Sequence, residues 1–371
     1  MLTWVEVSKS AIKHNLAKFK HNIGSHIMLM PVIKSNAYGH GMIEVAKICD
    51  DDRNVDRMCV SSLDEALTLI KNGIKKTIII LSFYELDEQK LTTAIKNKII
   101  FPIYREDQIL ILNKIAKKIR VKALVHLKID TGTTRIGILP KQAIFYTKKI
   151  SQSSNLYLEG IWSHFASSES DPIFTKKQLK LFTQVTKEIE EEGTKTPVKH
   201  FACSAATTLH SDTYFNAVRL GLSTYGLYPD EKSKEKISLK SALSLNTKII
   251  QIKIVPTNTA ISYGKTYVTK QSAKIAVLPI GYWDGIDRKL SNKGEVLVNG
   301  TKCPIRGRVC MNLMMIDVTK VKKVKIGDKA TIIGRQNNRI ISVDDLARII
   351  GTINYEVVDR INPLIPRIIT K

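Results

Sequence analysis

Residues 28–41 read Met28-Leu29-Met30-Pro31-Val32-Ile33-Lys34-Ser35-Asn36-Ala37-Tyr38-Gly39-His40-Gly41. An apolar run, Met28 to Lys34, gives way to a glycine-containing turn, and Gly41 to Cys49 then shows apolar residues at three- and four-residue spacing. That is the signature of a strand, a loop and an amphipathic helix in succession. The same unit recurs down the chain. Further short apolar or β-branched runs fall at Arg57 to Ser61, Thr77 to Leu81, Ile99 to Tyr104, Lys122 to Ile129, Tyr157 to His164, Val198 to Ala202 and Ala217 to Gly221. Between them lie helical stretches such as Ser62 to Lys71, Leu86 to Lys98 and Ile173 to Glu191. Eight β-then-α units in series predict an eight-stranded parallel α/β barrel, with an open doubly wound sheet as the alternative.

After Pro229 the texture changes. Leu243 to Val255, Ile275 to Pro279, Glu295 to Val298, Met311 to Val318 and Lys329 to Ile333 read as strands separated by turns, and helical patterns nearly vanish. The charged, lysine- and serine-rich stretch Asp230 to Lys240 reads as a linker. The expected organisation is a barrel over 9–235 followed by a β-rich domain over 236–371, with the strand within residues 1–8 joining the latter.

The bulk composition, 371 residues with 43% hydrophobic, is that of a globular protein able to bury a sizeable core. Five cysteines, widely spread, form neither a CxxC pair nor a zinc-ligand cluster, so free thiols and no metal are expected. The start lacks a basic segment followed by a long apolar run, and no apolar run is long enough to span a bilayer; a cytoplasmic protein is expected. The net charge of +24 raises nucleic-acid binding as a rival function. The lysines, however, are scattered through almost every helical stretch without interleaved aromatics, which reads as a solvated surface with no nucleic-acid or membrane partner.

In a parallel α/β barrel the active face is built from the loops after the strand ends. Lys34 ends the first strand, where desolvation at the edge of a core favours a nucleophilic amine able to attack an aldehyde. Alone it would be an ordinary snorkelling lysine. Other strand ends add Lys128 to Gly137, including Arg135, then His164, Ser204 and Arg219 with Gly221. Taken singly, Arg135 reads as a surface cation, His164 as a satisfied core histidine and Ser204 as a helix cap; five polar groups on one face point to a site. Ser204 and Gly221 flank the loops after strands seven and eight, where barrels of this kind commonly bind phosphate. A lysine facing a phosphate cradle suggests an aldehyde cofactor carrying phosphate, pyridoxal 5'-phosphate.

These residues resemble the alanine racemases over essentially the whole chain. The resemblance is carried by Val32 to Gly41, Lys128 to Gly137, His164-Phe165-Ala166, Arg219-Leu220-Gly221, Ile261 to Tyr267, Gly307 to Met311 and Ile353 to Glu356, in family order. It implies a homodimer that interconverts L- and D-alanine with pyridoxal phosphate and supplies D-alanine for peptidoglycan. Lys34 would carry the cofactor and act on one face of the substrate, and Tyr263 from the other subunit on the opposite face. His164 and Arg219 would support the ring, with Arg219 beside its nitrogen. Tyr38, Ser204, Gly221 and Tyr355 would hold the phosphate, while Arg135 and the Met311 backbone would receive the substrate carboxylate. Lys128 matches a position often carbamylated in the family and paired with the arginine at the position of Arg135.

Physical chemistry agrees with these roles. An arginine, with its pKa above ~12, offers a ring nitrogen a hydrogen bond but hardly a proton, which favours simple proton exchange over side reactions. The Tyr263 phenol has to be made acidic by nearby cations, a role open to His164 and Arg219. Two positions depart from the family pattern: Asn312 follows Met311 where an aspartate is usual, and Trp283 stands where a small residue is usual, at the expected substrate entryway. They leave open a broader-specificity racemase acting on serine or lysine; a decarboxylase of the same plan lacks a matching C-terminal cysteine and acidic motif.

Overall fold

The computed structural model describes residues 1–371. The chain divides into two compact units: one comprises residues 11–35 and 45–240, the other residues 1–10, 36–44 and 241–371.

The first unit is the expected barrel. After β1 (Thr3–Ser8) of the other unit, its strands are β2 (Met28–Pro31), β3 (Met58–Ser62), β4 (Ile78–Phe83), β5 (Ile100–Ile103), β6 (Ala123–Lys128), β7 (Leu156–Trp162), β8 (Val198–His200) and β9 (Ala217–Leu220). They pair in parallel in the order β2-β9-β8-β7-β6-β5-β4-β3. A bridge between Val32 and Cys59, with the Ile33 amide donating to the Cys59 carbonyl at 2.8 Å, brings the two ends of this sheet together. Local chemistry sets the helix starts. Ser62 and Glu65 form a reciprocal capping box on the helix Leu63–Lys71, and Asp171 caps the helix Pro172–Glu191, whose first residue is a proline with no amide to satisfy.

β2 ends at Pro31, three residues before the predicted end at Lys34. The reason is a left-handed turn over Lys34–Tyr38, in which Ser35, Asn36, Ala37 and Tyr38 all have φ between +52° and +54°. Each such L-residue costs roughly 1–2 kcal/mol, so the turn persists only where its surroundings dictate it. The Ser35 amide donates to Glu65 Oε1 at 2.7 Å. The Gly41 amide donates to the Asn36 carbonyl, the Met42 amide to Asn36 Oδ1, and His40 Nδ1 donates to the Tyr38 carbonyl at 2.8 Å. Gly39 is required here: a Cβ on it would lie 2.0 Å from the Val358 carbonyl oxygen.

The second unit is β-rich. β1 pairs antiparallel with β10 (Leu243–Lys248), which pairs with residues 329–336, and parallel with the strand Arg367–Thr370. The predicted strand Leu243 to Val255 is two strands, Leu243–Lys248 and Gln251–Val255, lying in different sheets. Helices do not vanish as expected: Val343–Ile350 and Asn354–Asp359 are helical, and within the other unit the predicted linker contains the short helix Glu231–Lys236, capped by Asp230. No helix is long and apolar enough to cross a membrane.

Candidate active site

The C-terminal half of the barrel interior is polar, contrary to the apolar layers that usually fill such barrels. His126 and Lys128 on β6, Trp162 on β7, His200 on β8 and Arg219 on β9 are all buried. His126 and His200 sit on strands separated by β7, yet His126 Nδ1 and His200 Nε2 are 2.9 Å apart, so the contact runs through the interior.

Arg219 is the hub. Its Nη1 lies 2.5 Å from His200 Nδ1 and donates to the His200 carbonyl; its Nη2 donates to the carbonyls of Ser163 and Phe201 and lies 3.1 Å from His164 Nδ1. Both terminal amino groups are committed, and Nε–H remains as the donor without a protein acceptor. Burial, with the Arg135 charge, lowers the guanidinium to about 10, partly offset by Cys59 and Cys203; this is below the sequence expectation, yet Arg219 stays a cation at neutral pH.

His164 is half-buried just past β7. Burial first, then Arg219, Lys128, Arg135 and Lys34, push its pKa well below the usual imidazole value, so these four basic side chains lie close enough to act on it. This corrects one expectation: His164 is neutral and supplies no positive charge. With Nδ1 accepting from Arg219, its single proton sits on Nε2. Lys34, half-buried at the start of the left-handed turn, belongs to this basic cluster.

Lys128 is 2% exposed, and its Nζ has no hydrogen-bond partner; it sits 4.0 Å above the Trp162 ring. Burial, then Arg219 and Arg135, holds its pKa well below the ordinary lysine value. Arg135 itself is exposed on a loop organised by Asp130, whose carboxylate accepts from the amides of Gly132, Thr133 and Arg135. Burial works against ionisation of Asp130, but these amide bonds hold its pKa below the usual range. Ser204 opens the helix Ser204–Leu209, and its Oγ accepts from the Gly221 amide at 3.0 Å and the Ser223 amide at 3.4 Å. The two amides and the hydroxyl form one small cluster after β8 and β9.

The remaining expected site residues lie in the β-rich unit. Tyr38 and Tyr355 pack against each other with ring centroids 6.0 Å apart. Tyr263 is 73% exposed on a turn whose Ser262 has φ +64° and donates from Oγ to the Arg308 carbonyl at 2.7 Å. Met311 is 54% exposed, and Asn312 beside it is exposed as well.

Sequence reasoning missed four members of the buried network. Arg57 forms a bidentate pair with Glu159, which also accepts from His126 Nε2. His200 then connects His126 to Arg219. One signal was present: His126 and Lys128 alternate in an apolar strand, which places two polar side chains on the same inward face.

Comparison with known proteins agrees with this architecture. Residues 7–229 match the family described as alanine racemase, N-terminal domain, and residues 242–369 match alanine racemase, C-terminal domain. The chain is 41% identical over 368 residues to an alanine racemase of Methanococcus maripaludis, covering 98% of each, and 40% identical over 366 residues to that of Halothermothrix orenii, covering 98% of this chain and 96% of the relative. Among solved structures, alanine racemase from Clostridium difficile superposes with a TM-score of 0.92 at 34% identity, covering 100% of this chain and 96% of the other. A Bacillus anthracis alanine racemase with bound L-Ala-P gives 0.91 at 36% identity, covering 100% and 95%. Two domain matches that together span nearly the whole chain, and relatives at this identity over its full length, mean that the chain belongs to the alanine racemase family.

Proposed function

We propose that the chain interconverts L- and D-alanine with pyridoxal 5'-phosphate, as a homodimer, supplying D-alanine for peptidoglycan precursors. The observation that carries this reading is the cluster of Lys34, His164 and Arg219 at the C-terminal ends of the barrel strands, in a chain of this family. The donor set fits the cofactor. Lys34 offers an amine for the aldehyde, Ser204, whose Oγ accepts from the Gly221 and Ser223 amides, a hydroxyl proton for the phosphate beside Gly221, and Arg219 a free Nε–H for the ring nitrogen. Tyr38 and Tyr355 would complete the phosphate site.

When bound, the cofactor supplies a conjugated, electron-withdrawing ring that stabilises negative charge left at Cα. Lys34 would anchor it and, as a free amine, move a proton at Nζ on one face of the substrate. Tyr263 of the second subunit would move a proton at its phenol oxygen on the other face, since inversion needs a donor and an acceptor on opposite sides. His164, whose Nε2 can only donate, would hydrogen-bond and stabilise that oxygen when ionised. Arg219 would give the ring nitrogen a hydrogen bond and keep its own proton, which limits charge spreading into the ring. Arg135 and the Met311 backbone would hold the substrate carboxylate, with Asn312 adjacent and Lys128, as a carbamate, orienting Arg135.

The test is to incubate the purified yellow protein with each common L-amino acid in deuterated water and follow Cα exchange and chirality. Alanine should exchange and racemise fastest. Lys34→Ala should abolish both the visible absorbance band and racemisation; retained activity in that variant would overturn the reading.

A further inference from the structure

Behind Arg219 a chain of hydrogen bonds runs the length of the barrel interior. It starts at Arg57, just before β3 and hence at the N-terminal end of the barrel, and passes through Glu159, His126 and His200 to Arg219. Its direction follows from chemistry. Arg219 has only donors, so His200 Nδ1 must be an acceptor; His200 then carries its proton on Nε2 and donates to His126 Nδ1. His126 in turn carries its proton on Nε2 and donates to Glu159, which is an acceptor only. From Arg219 each bond points toward the Glu159 carboxylate, which Arg57 meets from the other end.

Three further observations show that the barrel is built around this chain. Gly160 stands beside His126, where a Cβ would lie 2.8 Å from its Nε2. Trp162 stacks on His200 with ring centroids 5.4 Å apart and planes 8° from parallel. No carboxylate lies within ion-pair distance of Arg219, so Glu159 is the negative charge connected to it, two imidazoles away. The charged groups facing the two rings are Arg57, Glu159, Lys128 and Arg219. Burial first, and then mainly cations, lowers the pKa of His200 well below its ordinary value; burial also lowers that of His126, against the pull of Glu159, so both are neutral.

We propose that Glu159 is a positioning residue for Arg219: through His126 and His200, whose tautomers Arg219 sets from the other end, it strengthens the bond that holds the guanidinium in place for the cofactor ring nitrogen. This rests on the racemase reading above. No proton is transferred along the chain; each N–H that donates to an anion makes the opposite ring nitrogen a better acceptor. A charge placed near the far end of the barrel thereby sets the strength of the Arg219–His200 bond.

The experiment uses cofactor-loaded protein carrying nitrogen-labelled histidine, as wild type and as Glu159→Gln and Glu159→Leu. Magnetic resonance of the wild type should show His126 and His200 neutral and protonated on Nε2. In Glu159→Gln the amide oxygen still accepts from His126, so both tautomers should persist while the His200 Nδ1 signal shifts. Its kcat should fall roughly 10-fold, the scale seen when a group behind a functional side chain is removed, with KM within about twofold. The pH dependence of the bound-cofactor absorbance should move with it. Glu159→Leu leaves His126 Nε2–H without an acceptor and should shift the His126 and His200 nitrogen signals further than Gln does, with a larger fall in kcat; if it does not fold, the wild-type and Gln measurements decide. His200 protonated on Nδ1 in the wild type, or a Gln variant that loses stability with kcat and absorbance unchanged, would overturn the proposal. Absence of a cofactor band and of racemisation would instead defeat the racemase reading, and the tautomer pattern would still decide the direction of the chain.

Discussion

The backbone amide of Trp283 donates to the Met311 carbonyl oxygen at 2.9 Å, and the amide of Tyr282 does the same to Cys310. Two short backbone bonds therefore hold a 60%-exposed indole beside the methionine expected at the substrate. Because the tie is through backbone, Trp283→Ala should fold normally. Removing bulk at the entryway should raise activity on serine relative to alanine, by about 10-fold if the indole restricts the pocket. The ratio of kcat/KM for the two amino acids is the measurement, and an unchanged ratio would show that the indole plays no part in selection.

Tyr263 is nearly three-quarters exposed in the single chain, which leaves its phenol open to the role proposed for it. Tyr263→Phe should affect the L-to-D and D-to-L directions unequally, by roughly a hundredfold in at least one, as for loss of an acid–base group. Solvent isotope effects measured in each direction would reveal which face the tyrosine serves. Small and equal losses would count against it.

Lys128 presents a buried, unpartnered amine whose protonation is opposed by burial and two arginines. A neutral amine is the form that combines with carbon dioxide, and the resulting anion would be welcome between those cations. Protein exposed to isotope-labelled bicarbonate should show a carbamate carbonyl signal that is missing from Lys128→Met. Bicarbonate-depleted enzyme should lose activity and regain it on addition. A silent spectrum would argue for a bare lysine.

Burial raises the pKa of Glu159, but hydrogen bonds from His126 and Arg57, with the Arg57 charge, outweigh it and bring the carboxyl down to about 2 from an ordinary 4.5. A depressed carboxylate stabilises the fold above its unfolded value and loses that contribution as pH falls through the folded value. The window is therefore between about pH 4.5 and about pH 2, with ~3 kcal/mol at stake. Wild-type protein should lose more stability in denaturant titrations between about pH 6 and about pH 3 than Glu159→Gln does. Parallel losses would place the acid-sensitive group elsewhere.

The barrel was legible because each strand and helix keeps its own period, so Val198 or Ala217 can be placed from neighbours alone. Lys34, His164, Ser204 and Arg219 were legible as polar residues at strand ends. What escaped was whatever depends on distant partners. Glu159 and His126 look like ordinary strand residues until β6 and β7 are folded into a closed ring that turns them inward. The left-handed turn escaped because Ser35, Asn36 and Ala37 carry no residue type that demands positive φ; the demand comes from Glu65 and Gly39. The helix Val343–Ile350 did have a visible start, Ser342 followed three residues later by Asp345, now a capping box. It was overlooked among strands.

The parallel pairing of β1 with Arg367–Thr370, Val5 opposite Arg367, joins residues that lie very far apart in sequence. On the ribosome, β1 emerges long before either neighbour and has to wait for β10 on one side and, on the other, for Arg367–Thr370. An edge strand left open for so long is a template for mispairing with another nascent chain. Trp4 and Glu6 on this strand are joined by an indole-to-carboxylate bond of 2.9 Å, and Lys9 follows directly after it. Charge at and just beyond a waiting edge is one means by which such mispairing is discouraged during synthesis.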